Sequence, residues 1–157
     1  MSKEKGKVDY LKSEEDIKKV KHYLKKKPKH LLLFTVGINS SLCINDLLSI
    51  KSRHLKREVG DIIIMNKGII MYTQEVKDAY DHYCIFYDLN DDDYVFSKEN
   101  SNEPMINPYL NYLVKKWMKD CDIDGNFSSS SLGKTYDYFE KLKVDDLFED
   151  SDQQKEL

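Results

Sequence analysis

Over residues 13–27 the apolar positions Ile17, Val20 and Leu24 recur at three- and four-residue spacing in a lysine-rich background, which predicts an amphipathic helix with one buried stripe. Ser13 stands where an N-cap is needed, and the acids that follow it (Glu14, Glu15, Asp16) suit the positive end of the helix dipole. Pro28 ends or restarts that helix. KHLLLFTVGI is apolar on every side and predicts a buried helix, and INDLLSIK continues as a short one that turns Ile44, Leu47 and Leu48 inward. The period then changes. In DIIIMNKGIIMYT two β-branched runs flank Asn66-Lys67-Gly68, the pattern of a hairpin with strands over 62–65 and 69–72. QEVKDAYDHYCIFYDL returns to helix, and NDDDYVFS reads as a polar break before a short extended piece. NPYLNYLVKKWMKDC predicts an amphipathic helix with Pro108 near its first turn, burying Leu110, Leu113, Val114 and Trp117. SLGKTYDYFEKLK is the last strongly patterned helix. The expected class is therefore mainly α with a small β-hairpin (α+β). The expected core includes Leu32, Phe34, Leu47, Leu48, Leu113 and Trp117. A single folded unit over 1–145 is expected to be followed by an acidic, disordered tail over 146–157.

Charge changes this picture unevenly. The 157 residues carry a net charge of −3, but residues 1–30 hold eleven Lys against five acids, or +6. Residues 145–157 hold six acids against one Lys, or −5, and the remainder is −4. A basic N-terminal arm suits nucleic acid and an acidic tail is repelled by it; a solvated helix and a frayed end fit the same counts. No apolar run approaches the roughly 18 residues of a membrane span, and the start lacks an apolar signal core. Cys43, Cys84 and Cys121 are odd in number and widely spaced, which fits reduced thiols and a cytoplasmic location. Together with His22, His30, His54 and His82 they show no metal-ligand spacing, so no zinc and no other cofactor is expected.

Two short motifs invite specific chemistry. SSSSLGKT, Ser128 to Thr135, ends like a phosphate-binding loop, but Ser128 replaces the first glycine and KDCDIDGNF ahead of it is no buried strand. No nucleotide is expected there. Asp120, Asp122 and Asp124 before Gly125 match the opening of a calcium loop, yet Ser131 occupies the twelfth position, where a bidentate Glu closes such loops. The alternative is an acidic interhelix turn, which is the expectation here, and no metal is assigned.

A longer pattern explains more of the chain, SSSSLGKT included. LLLFTVGINSSLCINDLLSIK resembles a stretch of the phage-integrase or tyrosine-recombinase family, which typically reads L-L-F-x-x-G-I-N-T-G-L-R-I-S-D-L-L-x-L-K. YLKSEEDIKKVKHYLKKK resembles the lead-in of short stand-alone integrases, and FSSSSLGKTYDYF resembles the family's x-x-T-H-S-L-R-K-T-F-x-Y. The resemblance runs from about residue 8 to about residue 142 and implies the recombinase catalytic-domain fold, incomplete at its C-terminal end. In that family a Tyr attacks a DNA phosphodiester, two Arg grip the non-bridging oxygens, and a Lys and a His handle protons. Arg suits the clamp because its planar fork donates parallel hydrogen bonds and keeps its charge.

The departures matter most. The first family Arg falls on Cys43, the His on Ser130 and the second Arg on Gly133; only Lys67, in the hairpin, has a possible catalytic counterpart. The nucleophile is expected beyond Tyr138, where the chain reads DDLFEDSDQQKEL. Recombinase chemistry is therefore not expected. The resemblance leaves three roles: a weak, non-specific DNA-binding module, a protein that associates with an active recombinase and modulates it, or a remnant without function. For the first, Lys51, Arg53, Lys67 and Lys134 are the candidate phosphate contacts.

Overall fold

A computed structural model describes residues 7–155, with side chains described through Glu149. Helices α1 (Glu14–Tyr23), α2 (Pro28–Gly37), α3 (Ile44–Leu48) and α4 (Ser52–Leu55) precede strands β1 (Ile62–Met65) and β2 (Gly68–Met71). Helices α5 (Gln74–Phe86), α6 (Asn107–Asp120) and α7 (Ser130–Lys155) complete the chain. The Ser13 hydroxyl accepts from the Asp16 amide at 3.2 Å, so α1 starts on the expected cap. Pro28 sits in the first turn of α2, where its missing N–H costs nothing.

The spine is α2. Leu32, Leu33, Phe34 and Val36 are fully buried, and the helix packs against α5 on one side and against α1 and α7 on others. Trp117, from α6, meets Phe34 edge-on at a centroid distance of 6.2 Å. Every residue expected in the core is there: Leu32, Phe34, Leu47, Leu48, Leu113 and Trp117 are all 3% exposed or less. Large buried phenols keep a polar partner each, as Tyr72 Oη donates to the Leu55 carbonyl (2.6 Å) and Tyr83 Oη to the Val95 carbonyl (2.9 Å).

The hairpin is antiparallel, with Ile62 opposite Met71 and Met65 opposite Gly68. The second strand begins one residue earlier than the 69–72 expected from sequence, because the turn is only Asn66-Lys67, with Asn66 left-handed at φ 49°. Residues 39–41 lie along the far side of β2: Met71 N–H donates to the Asn39 carbonyl (2.8 Å) and Ser41 N–H to the Ile69 carbonyl (2.9 Å).

Two further features shape the molecule. The segment ahead of α1 is strapped across the start of α7. Leu11 N–H donates to Thr135 Oγ1 (3.1 Å), Asp9 N–H to the Asn126 carbonyl (2.9 Å), and Ser131 Oγ to the Asp9 carbonyl (2.6 Å). At the other end, α7 runs unbroken to Lys155, so the boundary expected at 145/146 falls inside a helix. No Gly or Pro occurs from Lys134 onward to interrupt it. Residues 1–6, half of the expected basic arm's first dozen, and 156–157 lie outside the described residues. Among the described residues no helix is long and apolar enough to cross a membrane.

Candidate nucleic-acid interface

Three elements converge at the C-terminal end of α2. A Cβ built on Gly37 would lie 2.7 Å from Leu132 Cδ1, so α2 and α7 approach as closely as glycine allows. A Cβ on Gly68 would lie 2.8 Å from the Ser41 carbonyl oxygen and 2.9 Å from Leu42 Cα, which seats the hairpin turn on the segment leading into α3. Asn66 Nδ2 donates to Asp46 Oδ1 (2.7 Å) and ties the same turn to α3 itself.

The sequence candidates fall on this frame as follows. Cys43 is the exposed residue that begins α3, with no side-chain capping bond. Lys67 is exposed in the hairpin turn. Ser130 opens α7, its hydroxyl 2.9 Å from that of Ser128. Gly133 follows within the first turn of α7, and a Cβ placed there meets nothing within 4 Å. Tyr136 is buried, and burial pushes its phenol upward, so it is held neutral inside the protein. Tyr138 packs against Tyr10 at 5.7 Å.

The remaining basic candidates are less free than the sequence suggests. Arg53 pairs with Asp92, and the neighbouring Lys56 pairs with Asp91. The same acidic loop uses its backbone: the Asp93 and Asp91 carbonyls accept from the Ser52 and Arg53 amides, each at 3.0 Å, at the start of α4. Lys51 Nζ lies 5.5 Å over the Tyr94 ring. His54, next to this cluster, has its imidazole pushed down by partial burial and by Arg53, Lys51 and Arg57. Lys134 is exposed but shares an open cleft of about 510 Å³ with Asp137, Asp145 and Lys141, so the local charge is balanced. The acidic loop that covers these cations is the element that the sequence pattern does not reveal. Its signal in the sequence is the run Asp91-Asp92-Asp93, which by itself marks only a polar break.

The two motif lures have structural explanations. The Ser129 amide donates to Asn111 Oδ1 (2.7 Å), the Ser128 amide to Ser131 Oγ (2.9 Å), and the buried Thr135 hydroxyl serves Leu11 and the Ser131 carbonyl. The Ser128 and Ser129 amides and the Thr135 hydroxyl are thus turned into the protein, and no strand precedes α7 between 121 and 129. Asp120 belongs to the last turn of α6 rather than to a loop. It accepts from Tyr23 Oη and pairs with Lys116 at 3.2 Å. Asp122 takes the left-handed conformation, φ 56°, and Gly125 follows at φ 151°. Among the described residues no group of three His, Cys, Asp or Glu side chains gathers to hold a metal.

No family model matches the chain, and no curated protein matches it in sequence. Solved structures do match in fold. XerA recombinase superposes with a TM-score of 0.67 at 16% identity, covering 87% of this chain and 50% of that one. XerH site-specific recombinase, in a post-cleavage complex with palindromic difH substrate, gives 0.69 at 15% identity, covering 94% and 46%. The Tn1549 transposon integrase (residues 82–397), in complex with circular intermediate DNA, gives 0.63 at 14%, covering 87% and 53%. This chain thus spans about half the length of the structures it matches. Its mainly α fold with a small antiparallel hairpin has the architecture of a tyrosine-recombinase-like catalytic domain.

Proposed function

We propose that this chain is a catalytically inactive, integrase-like protein of a mobile element that keeps weak, sequence-independent contact with DNA. The observation that carries the reading is the set of side chains at the family's clamp and proton-handling positions: exposed Cys43, Ser130 at the head of α7, and Gly133 facing open space. A thiol, a hydroxyl and a hydrogen atom cannot reproduce two guanidinium forks and an imidazole. Losing one preorganised donor to a developing oxyanion costs about 100- to 1,000-fold in rate, and here the losses coincide. Lys67, exposed in the turn and next to the α3 entry, is the surviving phosphate contact.

Two assays on the full chain test it. After incubation with supercoiled plasmid and denaturation in detergent, topology should be unchanged and no covalent adduct should form; a phosphotyrosine-linked adduct overturns the reading. Gel shifts on random duplex DNA should show affinity falling with salt at a log–log slope of about −0.9 per phosphate neutralised, and fading by about physiological ionic strength. Lys67→Ala should weaken that binding. Tight, salt-insensitive binding to one defined sequence contradicts it. Deleting residues 1–12 is a poor probe of the basic arm, because Asp9 and Leu11 are strapped to α7. Replacing Lys3 and Lys5 with Gln tests the arm while leaving the strap intact.

A second reading, a protein that binds an active recombinase and modulates it, is favoured by a different observation. Arg53 and Lys56 are already paired to aspartates, whereas Leu142, Val144, Leu147 and Phe148 leave apolar surface exposed along α7. Absence of DNA binding even at low salt, with retention of the chain by an immobilised active recombinase, selects this alternative.

A further inference from the structure

The N-terminal end of α2 opens into a cavity of about 670 Å³ that has no part in the reading above. A ten-residue helix is about 15 Å long, so the cavity lies that far from the Cys43 and Lys67 end. Its size falls in the range that holds small organic ligands, about 300–1,000 Å³. One wall is apolar, made by Tyr87, Tyr109 and Met105. The other is basic: Lys26, Lys27, Lys29 and Lys98 line it against a single acid, Glu99. Of these, Lys98 also reaches Glu103 at 3.4 Å.

Three details point inward. The α2 cap residue, Lys27, supplies no side-chain hydrogen bond; Pro28 has no N–H and the Leu31 amide donates to the Lys27 carbonyl, which leaves the Lys29 and His30 amides uncapped at the cavity end of the helix. Lys29 Nζ is held by the Ser97 carbonyl (3.0 Å) and lies 4.9 Å over the Tyr87 ring, half removed from water. Burial depresses its ammonium, and burial together with Lys27 and Lys29 depresses the His30 imidazole. His30 Nδ1 is buried and finds no hydrogen-bond partner among the described residues. An anion in the cavity balances the charge that Lys26, Lys27 and Lys29 bring to one wall and suits the uncapped amides at the start of α2.

We propose that this cavity is a binding site for a small aryl phosphate or mononucleotide-sized anion, its phosphate at the lysines and the α2 start and its ring against Tyr87 and Tyr109. The site is independent of the DNA reading and stands or falls separately. The test is a titration of the full chain at pH 7 and low salt with three probes: phenyl phosphate, inorganic phosphate and phenol. Phenyl phosphate should bind about tenfold tighter than either fragment, because it uses both walls. The His30 ring signals in NMR should move on binding and titrate at higher pH in the complex. The Lys26→Gln/Lys27→Gln variant removes two exposed charges, should keep the wild-type melting temperature, and should weaken phenyl phosphate by about tenfold. Tyr109→Ser should weaken phenyl phosphate and leave inorganic phosphate unchanged. Equal binding of phenyl phosphate and inorganic phosphate, binding indifferent to the lysine pair, or no binding at millimolar concentration each overturns the proposal.

Discussion

Gly133 is helical, has an ordinary backbone conformation, and leaves room where a side chain would go. Glycine inside a helix is about 1 kcal/mol worse than alanine, so Gly133→Arg should raise thermal stability and, with Cys43→Arg, strengthen low-salt DNA binding. Melting curves and gel shifts check the two halves; a destabilised Gly133→Arg protein would mean that the space is not free. Tyr23 gives a residue-scale prediction of a different kind. Its phenol donates to Asp120, and that bond raises it from 10.0 to about 12, while the same bond and Lys116 hold the Asp120 carboxyl below its usual range. Because the folded phenol holds its proton longer, its contribution is intact below pH 10 and lost as pH rises towards 12. Asp120 works the other way, contributing above its unfolded value and losing that as pH falls through the lowered one. The urea midpoint of wild type should exceed that of Tyr23→Phe at pH 8, and the gap should close between pH 10 and 12.

At the scale of elements, what could be read in advance and what could not separate along a physical line. Helix α1 announced itself through apolar spacing and the Ser13 cap, and α6 through apolar spacing and Pro108 in its first turn, because those signals are local. Cys43, Ser130 and Gly133 are assigned only through the resemblance of the surrounding residues to the recombinase family; they stand at the N-cap of α3 and in the first turn of α7. The hairpin was legible but its second strand begins one residue earlier than expected, at Gly68, which is held against the backbone of Leu42, 26 residues back in the chain. Gly68→Ala should therefore cost about 1–3 kcal/mol in denaturant unfolding even though alanine suits a strand better. Pairing of the acidic loop with α4 was illegible for the same reason: Lys56 and Arg53 lie 35 and 39 residues from their partners. Helix α7 runs on to Lys155 where an acidic tail is expected from sequence, with no Gly or Pro after Gly133 to stop it.

Across the described residues, several of the basic side chains are already paired with carboxylates, as in Lys21–Glu75, Arg53–Asp92, Lys56–Asp91 and Lys77–Asp81. Asp91 and Asp92 lie on the only arginine-bearing helix among the described residues, α4, and damp what would otherwise be its phosphate-binding strength. Converting both to Asn should raise low-salt DNA affinity and steepen the salt slope by about 0.9 for each cation that then meets a phosphate. An unchanged slope would place DNA elsewhere on the surface. The strap between residues 9–11 and 126–135 has a consequence for how the chain folds. Its bonds join residues up to 124 apart, so they close a very long loop. Loop-closure entropy rises with length, which makes such contacts late arrivals in folding and early departures in partial opening. The Leu11 amide is buried and bonded to Thr135 Oγ1, yet it should exchange with deuterium ahead of the amides of α2. In native-state exchange the strap would then release as its own unit, uncovering the head of α7 while the α2 core stays closed.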